Sequence, residues 1–422
     1  MSEFPTRRLD SFMADGSVLL GRGDIISKED IEAHPGPFPI YSSSAHNNGK
    51  FGEYGKFMFD EELITWSVDG GGNFFYREKH RYSVTNVCGY MRLKSQELHP
   101  KFVFYSLANQ HRFLTFDYTT KAHPSVIKKQ YWLPTIGQDQ QKKIAAILTS
   151  IDTAIEKTEA LIAKYQQIKA GLMHDLFTRG VLPNGQLRPP REQARELYQE
   201  TAIGWIPKEW EVSGLAAKGR AGTNWIRTGP FGSALKGEHW RTHGHPVITI
   251  GALGEGEILP EGLLFVDDRD ASRLRDFQLK AGDVVFSRVA DVGRSIVVRG
   301  NQTGWIMSSN LMRIAVDEDC ARPDFLQMAL ASDARVKAQI RARVNSGGRD
   351  VANSHVMNQL RFVWPDVTEQ DRIIALSDKA SRNLHIEQQK AAKLHLQKLG
   401  LMLDLLTGKV QVKVGAGGTA HG

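Results

Sequence analysis

The chain has almost no cysteine. Cys88 and Cys320 are the only two among 422 residues, which excludes a disulfide framework and a cysteine-rich zinc site. No apolar run reaches membrane-spanning length, and the first ten residues, MSEFPTRRLD, hold no apolar signal core. A cytoplasmic protein with no membrane partner is therefore expected. Several chemistries lack their residues too. There is no GxxxxGK[ST] loop to cradle a nucleotide's phosphates. No Asn/Asp-Pro-Pro-aromatic run is present to grip a flipped adenine. The 14 histidines are scattered without HExxH or a comparable ligand spacing. Asp69-Gly70-Gly71-Gly72-Asn73 is glycine-rich but lacks GxGxxG spacing, and reads as a turn. The chain is expected to carry no catalytic residue, metal or cofactor of its own.

Positive charge is in excess. A formal net charge of +7 and a pI near 9.2 permit a polyanionic partner. The excess is local. Six Lys/Arg (335, 337, 341, 343, 349, 361) face a single acid, Asp350, between Arg335 and Arg361.

The dominant feature is a long internal repeat. Gln141–Val181 and Gln370–Val410 align without a gap at an offset of 229 residues (400 − 171). Matches include Gln141/Gln370, Ile144/Ile373, Lys169/Lys398 and Gly171-Leu172-Met173/Gly400-Leu401-Met402. This period is far longer than a solenoid's, so the chain reads as two copies of a globular unit followed by a long helix. In the first copy Ile144, Ile151, Thr158, Tyr165 and Leu172 recur every seven residues, with Ile147, Ala154, Leu161 and Ile168 three later. In the second, Ile373, Ala380, Leu394 and Leu401 keep the stripe while Glu387 and Lys390 interrupt it. Either helix alone is compatible with packing on its own globular unit. Two copies in one chain favour an antiparallel pair with pseudo-twofold symmetry. About 32 residues at about 1.5 Å each would make a rod of roughly 48 Å.

Chain order gives the expected boundaries: globular unit 1–135, helix 136–181, connector 182–201, globular unit 202–365, helix 366–410, flexible tail 411–422. Strands are expected at Phe38–Tyr41, Leu63–Trp66, Cys88–Leu93, Pro246–Ile250, Asp283–Phe286 and Ser295–Val298. Helices are expected from Pro100 to about Phe113 and from Pro323 to about Ala342. The globular units echo each other faintly. Phe38-Pro39-Ile40 parallels His245-Pro246-Val247-Ile248, and Asn86 with Met91-Arg92-Leu93 parallels Asn310 with Met312-Arg313-Ile314. The fold class expected is two tandem α/β (α+β) domains, each with its long helix.

Several stretches in this order resemble the specificity subunit of type I restriction–modification systems. They are Gly204-Trp205-Ile206-Pro207-Lys208-Glu209-Trp210, Thr228-Gly229-Pro230-Phe231-Gly232-Ser233, and Gly282-Asp283-Val284-Val285 with Val292-Gly293-Arg294. Pro365 followed by Glu369-Gln370, and the paired Gly-Leu-Met-x-Asp-Leu helix ends, complete the set. The resemblance covers residues 1 to about 410. One departure is Gln138-Asp139-Gln140-Gln141, where a Glu-Gln pair is usual. The resemblance implies a non-catalytic scaffold in which each target recognition domain reads one half of an asymmetric bipartite site on double-stranded DNA. It further implies that the helical pair spaces the halves and docks two adenine methyltransferase subunits, with endonuclease/translocase subunits joining for restriction. S-adenosylmethionine, ATP and Mg would then belong to those partners. Two other assemblies fit the residues: the specificity chain of a type II system with fused methyltransferase and nuclease, and a coiled-coil adaptor that binds protein. An enzyme with an unrecognised site is a further class, open to test with the chain alone.

Base edges and phosphates are contacted by Arg, Lys, Asn, Gln, Ser and Thr. In the first unit the loops rich in such residues present Ser43, Ser44, His46, Asn47, Lys50, Asn73, Lys121 and His123. In the second they present Lys236, Arg241, Ser287, Arg288, Arg294, Asn310, Ser346 and Arg349. For any one of them, plain solvation of a loop residue is the alternative. Helix pairing and partner docking are expected of Ile144, Ile151, Leu161, Tyr165, Leu172, Met173, Ile373, Leu394, Leu401 and Met402.

Overall fold

The computed structural model of the chain describes residues 3–44, 47–69, 71–116, 121–254, 256–289, 293–344 and 352–413. Contacts divide it into two compact units, Met1–Leu161 with Glu387–Gly422, and Ile162–Ile386. Each unit therefore owns half of each long helix.

The first unit is built on a six-stranded sheet in the order Val18–Arg22, Cys88–Leu93, Phe59–Ser67, Phe74–Val84, Phe38–Tyr41, Lys50–Tyr54. Only the Phe38–Tyr41/Phe74–Val84 pairing is parallel. Asp24, just past the first strand, bridges Thr85, just past the fourth, so the sheet curls on itself. Leu63, Tyr82 and Val84 fill the inside of the curl, while Trp66, Phe74 and Met91 face the helices. A strand expected at Leu63–Trp66 is nine residues long, because Phe59 at its far end also has a core position.

The second unit repeats this plan. Its four-stranded sheet runs Ile226–Thr228, Leu311–Ile314, Val284–Ser287, Ser295–Val297. A three-stranded sheet, Leu264–Val266, His245–Ile248, Ile306–Met307, again contains one parallel pair. Ser295–Val297 and Ile306–Met307 together take the place of the single strand Phe74–Val84. The break between them holds a 3₁₀ turn at Gly300–Gln302, beside which Arg299 pairs with Asp324 at 2.6 Å. The helix expected over Pro323 to about Ala342 is instead two, Pro323–Ser332 and Ala334–Val344. Asp333 stands between them in extended conformation, and its carboxylate accepts the Arg335 N–H at 2.9 Å, which starts the second helix afresh.

The long helices are Gln138–Thr178 and Val367–Thr407, 41 residues each. In the first unit the start of one packs on the end of the other. Ile144, Ala145 and Leu148 join Met402, Leu405 and Leu406 around Phe102 and Tyr105. Lys398 pairs with Asp152 at 2.7 Å. In the second unit the Ser377 hydroxyl lies 3.5 Å from the Met173 sulfur. The pairing is therefore antiparallel, as expected. Ile144, Met173, Ile373 and Met402 are buried, and Ile151, Leu161, Tyr165, Leu172, Leu394 and Leu401 are half-buried. The second row of the first helix sits one residue later than the heptad suggests. Leu148 and Ile155 are buried, whereas Ile168 is 48% exposed. A helix that faces both a partner helix and a globular unit needs a wider stripe than a bare coiled coil. Glu387 and Lys390, the charges interrupting the second stripe, pair with each other at 3.5 Å.

The repeat-matched glutamines have one shared task. Gln141 accepts the His99 N–H at 2.8 Å and donates to the carbonyls of Glu97 and Ile136. Gln370 accepts the Arg322 N–H at 2.7 Å and donates to Cys320 and Pro365. Each buried amide thus caps the helix beginning at Pro100 or Pro323 and ties it to the long helix. Gln370→Ala strands three backbone groups. It is expected to cost about 1–3 kcal/mol, read as a lower urea midpoint for the second unit. An unchanged midpoint would contradict the clamp.

Candidate nucleic-acid interface

Five segments of the first unit meet at one end of its sheet, and backbone hydrogen bonds fix them there. Cys88 N–H donates to Thr85 O (2.9 Å), closing a turn whose Thr85 N–H donates to Tyr41 O (2.9 Å). Val68 N–H donates to Val87 O (3.0 Å), Ala122 N–H to Val68 O (3.0 Å), Ser67 N–H to Asn73 O (3.1 Å) and Gly23 N–H to Cys88 O (3.1 Å).

The second unit repeats all six bonds. Leu311 N–H donates to Ser308 O (3.2 Å), Ser308 N–H to Ile248 O (3.0 Å) and Arg288 N–H to Asn310 O (3.0 Å). Ala352 N–H donates to Arg288 O (2.8 Å), Ser287 N–H to Arg294 O (2.8 Å) and Gly229 N–H to Leu311 O (2.9 Å). The frame makes Ser67 equivalent to Ser287, Val68 to Arg288, Asn73 to Arg294, and Ala122 to Ala352. It corrects one sequence parallel. Asn86 corresponds to Ser309, and Asn310 to Val87, because the turn's backbone and not the asparagine sets the alignment.

This frame gathers most of the expected loops. In the first unit the root of the Ser42–Gly49 loop is held by Thr85 Oγ1, which donates to Ser42 Oγ at 3.1 Å. Ser43 is half-buried and Ser44 exposed. Asn47 and Asn48 are left-handed, with φ of 48° and 52°, a conformation asparagine tolerates better than most residues. Lys50 pairs with Glu53 at 2.5 Å and Lys121 with Asp69 at 2.9 Å. His123 turns out to cap a helix, its Nδ1 accepting the Ser125 N–H at 3.3 Å. In the second unit Arg288 is half-buried against the carbonyls of Ala352 and Ser309. Burial pulls its pKa below the usual guanidinium value, and among the described residues no carboxylate pairs with it. Arg294 donates to Leu253 O at 3.0 Å. Asn310 is exposed. A cleft of about 520 Å³ opens between Arg288, Ser309, Asn310, Arg227 and the Gly229–Gly232 segment.

Some expectations need correction. Ser287 is wholly buried and its hydroxyl donates to Val289 O at 2.8 Å, so it shapes the loop and presents nothing outward. Arg241 precedes the strand His245–Ile248, at the end away from the frame, and is held there by Asp267 at 2.8 Å and by two backbone carbonyls. Lys236, though exposed, lies five residues before it, outside the frame. His46, Ser346 and Arg349 lie outside the described residues.

Sequence reasoning missed Arg77. This side chain is buried, stacked 3.7 Å from the Tyr41 ring centroid, with its Nε donating to Thr65 Oγ1 at 3.0 Å. Its terminal nitrogens find no acceptor among the described residues. A lone arginine in an alternating charged strand carries no signal of burial. Among the described residues no group of three or more His, Cys, Asp or Glu could hold a metal ion, and no helix is long and apolar enough to cross a membrane.

Residues 14–167 match the family model of the type I restriction modification DNA specificity domain. The chain is similar to the N-terminal part of a type I specificity subunit of Mycoplasma pneumoniae, 42% identical over 88 residues, which are 20% of this chain and 46% of that one. It thus spans about half the length of that relative. It is 23% identical over 358 residues to the MjaVIII type I restriction enzyme specificity subunit of Methanocaldococcus jannaschii, 83% of this chain and 79% of that one. Among solved structures it is similar to a type I restriction-modification system S subunit from M. genitalium, with a TM-score of 0.60 and 16% identity over 96% of both chains. A chain solved for complex assembly and conformational transition of the type I R-M system gives a TM-score of 0.54 at 14% identity, covering 97% of this chain and 100% of that one. At these identities the structural likeness is one of fold.

Proposed function

The chain belongs to the family of type I restriction–modification DNA specificity subunits, and from that premise we propose that each of its two units reads one half of an asymmetric, bipartite target on double-stranded DNA. As a specificity subunit it is a non-catalytic part of a type I assembly. One observation carries the reading. The same six-bond frame brings the same five segments to one end of each sheet, but the side chains set on it differ. Where one unit has Val68, Asn73, Asn86 and Val87, the other has Arg288, Arg294, Ser309 and Asn310. A shared backbone frame gives both units the same way of approaching a duplex, and different side chains give them different base edges to select. Two unlike readers on one chain require an unlike pair of half-sites, whereas a homodimer of one reader would require a palindrome.

The paired long helices hold the two readers and offer their solvent side to two methyltransferase subunits. Those subunits modify an adenine in each half-site, and endonuclease/translocase subunits join them for restriction. S-adenosylmethionine, ATP and Mg are theirs. Binding through phosphates makes affinity fall steeply with salt.

The test is methylation mapping. The chain is co-expressed with its methyltransferase subunit and host DNA is sequenced for modified adenines. A single asymmetric bipartite motif, lost when this chain is left out, is the expected result. Arg288→Ala is expected to relax or abolish one half of that motif only. It removes about 1–3 kcal/mol of base discrimination if it meets a base edge. Methylation without this chain, or at one continuous motif, would overturn the two-reader assignment.

A further inference from the structure

The frame places one more pair of residues in register. Gly23 and Gly229 are equivalent, each donating its N–H to the strand residue that ends the turn, Cys88 or Leu311. Neither position has room for a side chain. A Cβ on Gly23 would fall on the Val84 carbonyl oxygen, and one on Gly229 on the Ser308 carbonyl oxygen. Two residues further on, both units do something costly. Ile25 is 78% exposed and Phe231 is 90% exposed, the two largest exposures among the big apolar side chains described. Leaving such a side chain in water forgoes about 1.5–3 kcal/mol of burial.

Both are held outward by fixed backbone. Before Phe231, Pro230 is buried and locks its own φ. After it, the Ala234 N–H donates to Phe231 O at 2.8 Å. Before Ile25, the Asp24 N–H donates to Val84 O at 3.2 Å. After it, Ser27 and Asp30 form a reciprocal cap on the helix Lys28–Ala33, at 3.1 Å in each direction. An isolated exposed hydrophobe needs no explanation. Two at equivalent points of two otherwise divergent units, each on a pinned backbone, do. Phe231 stands on the rim of the cleft that contains Arg288 and Asn310. Arg22, beside Gly23, donates from Nε to Asn86 O at 2.8 Å, which steadies the equivalent turn.

We propose that Ile25 and Phe231 are apolar wedges, one for each half-site, that enter double-stranded DNA between adjacent base pairs and unstack one step. This rests on the DNA-reading function proposed above. An inserted apolar side chain offsets the loss of base stacking by its own burial, and the opened step lets more of the protein follow the groove. Phosphates and base edges are the ligands that suit the cleft, since Arg288 meets no carboxylate among the described residues. An apolar partner protein would complete the burial of that half-buried guanidinium without supplying a counter-charge.

The experiment uses the full chain with its methyltransferase subunits and duplexes of the mapped target. 2-Aminopurine is placed at successive steps of each half-site. With the unaltered complex, fluorescence is expected to rise at one step in each half. Phe231→Ala is expected to abolish the rise in one half alone and to weaken binding about tenfold, while Ile25→Ala does so in the other. Phe231→Leu, still apolar, keeps the signal. The salt dependence of binding and the melting temperature stay unchanged, because neither side chain touches phosphate or core. Unaltered fluorescence and affinity in both alanine variants would overturn the proposal. So would a loss of methyltransferase association with an intact fluorescence rise, which would mark the residues as a protein contact. If the unaltered complex bound no duplex in a salt-dependent way, the reading function itself would fall and the wedges with it.

Discussion

Glu369→Ala is expected to cost the second unit about 3–5 kcal/mol, among the largest effects any single substitution outside the apolar core should produce. Glu369 and Arg188 are both buried. Glu369 Oε2 accepts from Arg188 Nη2 at 2.9 Å, and its Oε1 accepts both from Arg188 Nη1 and from the Val181 N–H, the latter at 2.8 Å. Burial lowers the Arg188 pKa, and the Glu369 carboxylate more than restores it, so the guanidinium stays charged. Remove the carboxylate and, among the described residues, the one carboxylate left to this buried cation is Glu209, exposed and 3.6 Å away. The end of the first long helix loses its tie to the start of the second at the same stroke. Hydrogen exchange on the full chain tests this. Peptides from 204–364 should lose protection while peptides from 59–111 keep theirs, and uniform loss across both would sink the local account. Arg188→Met combined with Glu369→Leu should recover most of the stability, because a well-packed apolar pair replaces a desolvated ionic one. Gln140, which holds the equivalent place in the first unit's repeat, carries no charge. Gln140→Ala should cost no more than about 1 kcal/mol.

That contrast was half legible in the sequence. The Glu-Gln step and its Gln-Gln departure stand out once the repeat is aligned, but the partner of Glu369 lies 181 residues away in a connector whose arginines look alike. The same division runs through the fold. The long helices were readable because seven-residue periodicity is local, and only the exact second row, Leu148 and Ile155 in place of Ile147 and Ala154, depended on what the helix meets. The sheet strands were readable where apolar residues cluster. Phe74–Val84 was not, because REKHR interrupts it and Arg77 is buried against Tyr41 by tertiary structure alone. The loop frame had no signature at all. Its bonds are backbone to backbone, between segments far apart, and any residue can make them. Serine in a polar loop suggested exposure for Ser287, whereas its hydroxyl folds back on the Val289 carbonyl. Ile25 and Phe231 were invisible for the opposite reason, since apolar side chains are assigned inside by default.

Gly229→Ala should abolish recognition of one half-site and leave the other intact, although it adds only a methyl group. The backbone at Gly229 is ordinary, outside the left-handed region, so alanine meets no conformational penalty there. The obstacle is the Ser308 carbonyl, whose oxygen occupies the space a Cβ needs. That oxygen accepts the Leu311 N–H that closes the turn, so it cannot yield alone. Either the 308–311 turn moves or the 228–232 segment does, and both carry the Gly229–Leu311 hydrogen bond. Overpacking of this kind costs about 1–3 kcal/mol, which a unit with so large a core survives. The reading surface does not survive it, because the same turn carries Ser309 and Asn310 and accepts the Arg288 N–H. Each well-aligned base contact is worth about 1–3 kcal/mol, so a shift that misaligns two of them weakens that half by about 100-fold. Binding to duplexes with one half-site scrambled separates the outcomes. The variant should stop discriminating sequence in one half while Gly23→Ala, at the equivalent point of the first unit, stops discriminating in the other. Gly232→Ala, whose Cβ would point into open space, should behave as the unaltered chain. If Gly229→Ala bound both halves normally, the turn would be free to move and the frame could not be what holds the readers in place.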